Sequence, residues 1–261
     1  MSTATVTVDT AVPPVPLSRV IRVEFRKMFD TRSGFWLLLG IGIVALLATI
    51  GVIVFAPDAN LTYGAFGTAI GVPFALLLPI VAILSVTGEW SQRTGLITFT
   101  LLPNRGQVIL AKALTAVLVG IGSMIFSFAV GAVGNVVGAA INGVDARWDV
   151  SISDMLYIIL ANVLGLLIGF MLGVLIRNSA GAIVGYVVYS FVIPLIFGAL
   201  AAFQGWFERL QPWIDFNNAQ APLFEGGVSG EQWAQIGTSG LIWFVIPMSI
   251  GVWVVLRSEV K

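Results

Sequence analysis

Six stretches of this chain, 35–55, 65–87, 114–141, 155–176, 179–203 and 236–256, contain no Asp, Glu, Lys, Arg or His. At about 1.5 Å rise per residue, the first alone covers roughly 30 Å, the thickness of a bilayer's hydrocarbon core. Inside lipid the backbone must satisfy its own polar groups, which leaves helices or a closed barrel. A barrel would show strands of about ten residues with alternating polarity, whereas these runs are unbroken. Composition agrees: 58% of residues are hydrophobic, 10% are charged and the mean hydropathy is +0.99, outside the range of a soluble domain of this length. The expectation is an all-α membrane protein, one domain over 33–261 with six transmembrane helices, preceded by an N-terminal amphipathic interfacial helix.

That helix is read over 17–32. Leu17, Ile21, Phe25, Met28 and Phe29 recur at helical spacing, with Arg19, Arg22, Arg26 and Lys27 between them and Ser18 as the expected N-cap. Such a segment lies on the membrane surface with its cations toward anionic headgroups, either as a generic juxtamembrane stretch or as an elbow with a mechanical role. Residues 1–16, rich in Thr, Val and Pro, lack the positive start and apolar core of a signal peptide and read as a disordered tail.

Charge placement gives an orientation. With six crossings, eleven of the thirteen basic residues fall on one side, and only Arg147 and Arg209 on the other. The second side also carries Asp58, Asp145, Asp149, Asp154, Glu208, Asp215, Glu225 and Glu231. By the positive-inside rule both termini are expected in the cytoplasm, and the expected location is the plasma membrane. Trp36, Trp148, Trp206, Trp213 and Trp233 lie near span ends and read as interfacial anchors.

Much chemistry is excluded. There is no cysteine and no histidine, which removes disulfides, thiolates, imidazole catalysis and most transition-metal sites. The charge-free runs disfavour an ion-coupled pump, an intramembrane protease and a metal-dependent hydrolase. No P-loop or dinucleotide fingerprint is present, so the chain is not expected to be an enzyme or to bind a cofactor or nucleic acid. Asn135 and Asn162 are expected to bond neighbouring helices.

Gly165, Gly169 and Gly173 recur every four residues and predict close helix contact, with the partner helix in this chain or a second one. Gly134 with Gly138, and Gly181 with Gly185, repeat the pattern. Pro73, Pro79, Pro194 and Pro247 remove backbone donors and predict kinks. The segment 204–235, with Trp206, Phe207, Trp213, Phe216 and Phe224, predicts short helices dipping into the outer interface, as a gate or a cap.

Between the second and third runs, 88–112 reads GEWSQRTGLITFTLLPNRGQVILAK. Glu89, Arg93, Thr94, Gly95, the apolar stretch 96–102, Pro103, Arg105 and Lys112 resemble the pattern of ABC transporter permeases of the type-2 export family, with Thr94 and Gly95 reversed relative to the usual Gly-Thr. The resemblance extends to the basic first helix, the six spans and the long outer segment. It implies that 88–112 is a coupling loop docking on a cytosolic ATPase subunit, which binds ATP and Mg. Ile97, Phe99, Leu101 and Leu102 are too apolar for a free loop and want a groove, while Glu89, Arg93 and Arg105 suit its rim; packing under the membrane against the first helix is the alternative.

The expected function is therefore the permease subunit of an ATP-driven exporter, paired with a second permease chain as homo- or heterodimer, and two ATPase subunits. A charge-free interior suits an amphipathic or apolar cargo: small molecule, lipid or peptide. The alternatives are a membrane sensor or immunity subunit docking the same kind of ATPase, or a channel.

Overall fold

Each apolar run is helical in the computed structural model, which describes residues 15–30, 32–91 and 104–257. A first helix α1 (Leu17–Asp30) leads into span one, α2 (Arg32–Phe55). Span two is α3 (Tyr63–Ser91), span three α4 (Arg105–Asn142) and span four α5 (Ile152–Ile176). Span five comprises α6 (Ser179–Val187), a π-helical turn (Val188–Val192) and α7 (Ile193–Phe203). The outer segment contributes α8 (Gly205–Ile214), α9 (Phe216–Gln220) and a 3-10 turn (Ala221–Phe224). Span six is α10 (Gly230–Gly240), a second π-helical turn (Leu241–Val245) and α11 (Ile246–Arg257). All six spans are long and apolar enough to cross a membrane, and the fold is that of a multi-pass α-helical membrane protein.

Several helices outrun the charge-free runs because their ends are capped. The Asn104 side chain accepts from the Gln107 amide, starting α4 well before its apolar run, and Gly143 closes it at φ 69°. Ser151 and Asp154 form a reciprocal capping box on α5, and Ser229 with Gln232 does the same for α10. The sixth helix therefore begins inside the segment assigned from sequence to the outer connection. For α1, Ser18 lies within the first turn instead of capping it, and the amides of Arg19 and Val20 close on the Pro16 carbonyl.

Spans two and four form the centre: 44% and 50% of their most apolar windows are buried, against 11% for span five and 17% for spans one and six. The glycine stripe explains the α3–α5 contact. A Cβ at Gly169 would meet the Pro79 carbonyl oxygen at 2.6 Å, and one at Gly173 would meet the Ile83 carbonyl oxygen and the Val86 side chain at 3.3 Å. These two glycines thus serve a helix of the same chain; Gly165 is looser, with only the Tyr186 hydroxyl nearby at 3.9 Å. Gly134 admits Thr49 and Phe66 in the same manner. Polar bonds cross between helices where they are shielded: the Tyr186 hydroxyl donates to the Ala75 carbonyl at 2.8 Å, and Thr87 and Ser179 share a bond of 2.7 Å.

One end of the bundle carries α1 and the flanks of the 92–103 connection, and is called here the basic end. At the other, acidic end, Arg147 donates to Ala59, Asn135 donates to the Arg147 carbonyl, and Asp149 accepts from the Gly64 amide, pinning the span three to four connection onto the start of α3.

Candidate functional site

Glu24 stands on the stripe Val20, Glu24, Met28, which is the face α1 buries. Of the apolar residues grouped by spacing, Met28 lies on this stripe, while Phe25 and Phe29, their tilted rings 4.8 Å apart, are 40% and 46% exposed. A buried carboxylate needs a cation, and Glu24, 5% exposed, finds Lys112 from the third turn of α4.

Lys112 is itself 7% exposed, and its ammonium has three protons to place. It bonds Glu24, lies 3.0 Å from Glu89 at the end of α3, and donates to the Ser85 carbonyl at 3.2 Å. Lys27, one turn along α1, closes the ring at 2.7 Å from Glu24 and 3.1 Å from Glu89. Two carboxylates and two ammonium groups therefore join three helices, α1, α3 and α4, at the basic end. Both helices that lead into the 92–103 connection are held here.

Arg105 and Gln107 extend the joint. The Arg105 guanidinium donates to the Val255 carbonyl at 3.0 Å, tying the start of α4 to the last turn of span six. Gln107 donates to the Val15 carbonyl at 2.8 Å, just before α1. Of the residues expected to couple to an ATPase, Glu89, Arg105 and Lys112 are thus engaged inside the chain, whereas Arg93, Thr94, Gly95, Ile97, Phe99, Leu101, Leu102 and Pro103 lie outside the described residues. Arg19, Arg22 and Arg26 are exposed on α1, with Arg26 paired to Asp30 at 3.3 Å. Glu24 was not singled out by spacing; a carboxylate inside an otherwise apolar i, i+4 stripe was the available signal.

Burial pulls the Lys27 ammonium down, but hydrogen bonding and charge from Glu24, then Glu89, outweigh it and leave its pKa above the ordinary 10.5. A lysine raised on folding stabilises fully below its unfolded pKa, about 10.4, and loses that contribution as pH rises through the folded value. Thermal unfolding should therefore show a gap between wild type and Lys27→Met that is constant through neutral pH and shrinks above about pH 10.5. A gap that narrows instead between pH 6 and 8 would contradict this assignment. The Lys27 side chain is 42% exposed, so solvent screening keeps the gap small.

A second feature lies at the acidic end: a cavity of about 650 Å³ between α7, through Pro194, Gly198 and Ala201, and the outer helices, through Glu208, Asp215 and Asn218. Asp215 is only 2% exposed; it caps α9 by accepting from the amides of Asn217 and Asn218, and accepts from Gln211 at 3.0 Å. Its carboxylate is thereby satisfied as a structural cap. Among the described residues no group of three or more acidic side chains could hold a metal ion.

No protein-family model and no curated protein matches this sequence.

Proposed function

We propose that this chain is the membrane-spanning permease subunit of an ATP-driven exporter of the ABC type-2 class, with both termini in the cytoplasm, α1 as an interfacial elbow, and 88–112 as the loop that meets a separate ATPase. The observation that carries this reading is the buried joint of Glu24, Lys27, Glu89 and Lys112, which ties the helices on both sides of that loop to α1. A push on the loop enters α3 and α4 at Glu89 and Lys112 and reaches α1 without slack, because each ammonium bridges both carboxylates. Span two, which receives the push, is one of the two central helices of the bundle. The sequence resemblance of the loop supplies the partner, and the charge-free spans favour an amphipathic or apolar cargo.

Phe99 is the test residue, because an apolar side chain at the centre of the loop has most to gain from a groove and an aspartate there has most to lose. Phe99→Asp should abolish association with the ATPase subunit in a pull-down from membranes while membrane insertion stays intact. Retention of the complex sinks the coupling assignment. With the complex reconstituted in lipid, stimulation of ATP hydrolysis by an apolar cargo distinguishes transport from sensing.

A further inference from the structure

The two π-helical turns occupy matching places. In span five, Val188–Val192 is followed by eleven residues of α7 toward the acidic end; in span six, Leu241–Val245 is preceded by eleven residues of α10 from that same end. In each turn the ladder steps out to a wider ring, with the Ile193 amide on the Val188 carbonyl and the Ile246 amide on the Leu241 carbonyl. Each turn is followed by a proline, Pro194 or Pro247, which removes the N–H that would have closed onto Ser190 or Trp243. Wide turns and prolines are both established causes of helix bending, and here they coincide in each of two neighbouring spans.

The two turns also touch. The rings of Tyr189 and Trp243 lie 5.5 Å apart. The outer helices anchor on the same residues: the Trp243 indole donates to the Ile214 carbonyl at 2.7 Å, and Asn217 donates to the Tyr189 carbonyl at 3.3 Å. Beyond this level α7 buries no side chain, so little holds it to the bundle. The far part of the outer segment is tethered instead, with Leu223 fully buried and Gly226 so close to Asp154 that a Cβ would meet its carboxylate at 2.9 Å.

We infer that the paired turns form a hinge on which α7 and α8 swing as a unit against a fixed bundle that includes α10, whose Ile236 and Ser239 are buried, pivoting at Tyr189 and Trp243. The tether at Leu223 confines the swing to the span-five side. There the α7 and α8 walls of the 650 Å³ cavity, through Pro194, Gly198 and Glu208, move relative to the wall carrying Asn217 and Asn218, so the hinge sets the width of the cavity. An eleven-residue helix is about 16 Å long, and a bend of about 20° at its base moves its tip by about 6 Å. The inference rests on the six-helix fold alone and stands whether or not the chain is an exporter.

The chain has no cysteine, so spin labels can be placed at will. In nanodiscs, labels at Asp145→Cys and Arg209→Cys report bundle to swinging unit, and labels at Asp145→Cys and Glu225→Cys report bundle to tether. Double electron–electron resonance should give a distribution for the first pair that is broader than the second by about 6 Å. Pro194→Ala with Pro247→Ala, which returns both missing donors, should collapse that excess while leaving the tether pair unchanged. A first pair as narrow as the second in the otherwise unaltered chain overturns the hinge, and so does an excess that survives both alanines.

Discussion

Lys112→Ala should lower the stability of the folded chain by about 3–5 kcal/mol, the cost of leaving buried charge without its partner. The estimate follows from burial. Glu24 and Glu89 are 5% and 6% exposed, and removing Lys112 takes the buried cation from between both carboxylates, while Lys27, the other ammonium of the joint, is half in solvent. The Ser85 carbonyl loses a donor as well. Thermal unfolding in detergent or nanodiscs measures the effect, and a double-mutant cycle apportions it. Glu24→Gln added to Lys112→Ala should recover part of the loss, because it removes one of the stranded charges. A stability change within about 0.5 kcal/mol for Lys112→Ala, the size of an ordinary surface substitution, would show that the joint is solvated and holds nothing.

The same joint marks where the sequence was legible and where it was not. Six spans and the shortness of the outer helices follow from hydropathy and turn residues, because lipid imposes one rule on every span. Spans three and six start at Arg105 and Gly230, where polar caps begin the helix earlier than the apolar runs at 114 and 236. The face of α1 did not follow from spacing. Spacing grouped Leu17, Ile21, Phe25, Met28 and Phe29; of these the chain buries Met28, beside Val20 and Glu24, and Glu24 pairs there with a residue 88 positions away. Periodicity carries no information about a partner that distant in sequence. The π turns were hidden for a related reason: Pro194 and Pro247 announce a bend, but the wider ring forms two residues before each proline and has no residue signature of its own. The glycine stripe announced a close contact, while the identity of the helix that fills it required the fold.

That contact gives the second large effect. Gly169→Val should separate the two central spans and destabilise the chain by several kcal/mol. A Cβ at this position would lie 2.6 Å from the Pro79 carbonyl oxygen and 2.8 Å from its Cα, and neither is the end of a flexible side chain that could turn aside. The backbone of one helix must move, and with it Phe74, Leu78 and Ile83, which are buried to within 1% of full enclosure along α3. Overpacking alone typically costs about 1–3 kcal/mol, and rigid backbone on one side places this case at or above the upper end. Gly169→Ala should already be harmful, whereas Gly165→Ala, whose Cβ meets only the Tyr186 hydroxyl at 3.9 Å, should be close to neutral. Thermal unfolding of the three variants orders them, and equal stability for Gly165→Ala and Gly169→Ala would mean that α3 and α5 pack less closely than described. The contrast is useful because the glycines at 165 and 169 have the same composition, spacing and helix; only the distance to Pro79 separates them.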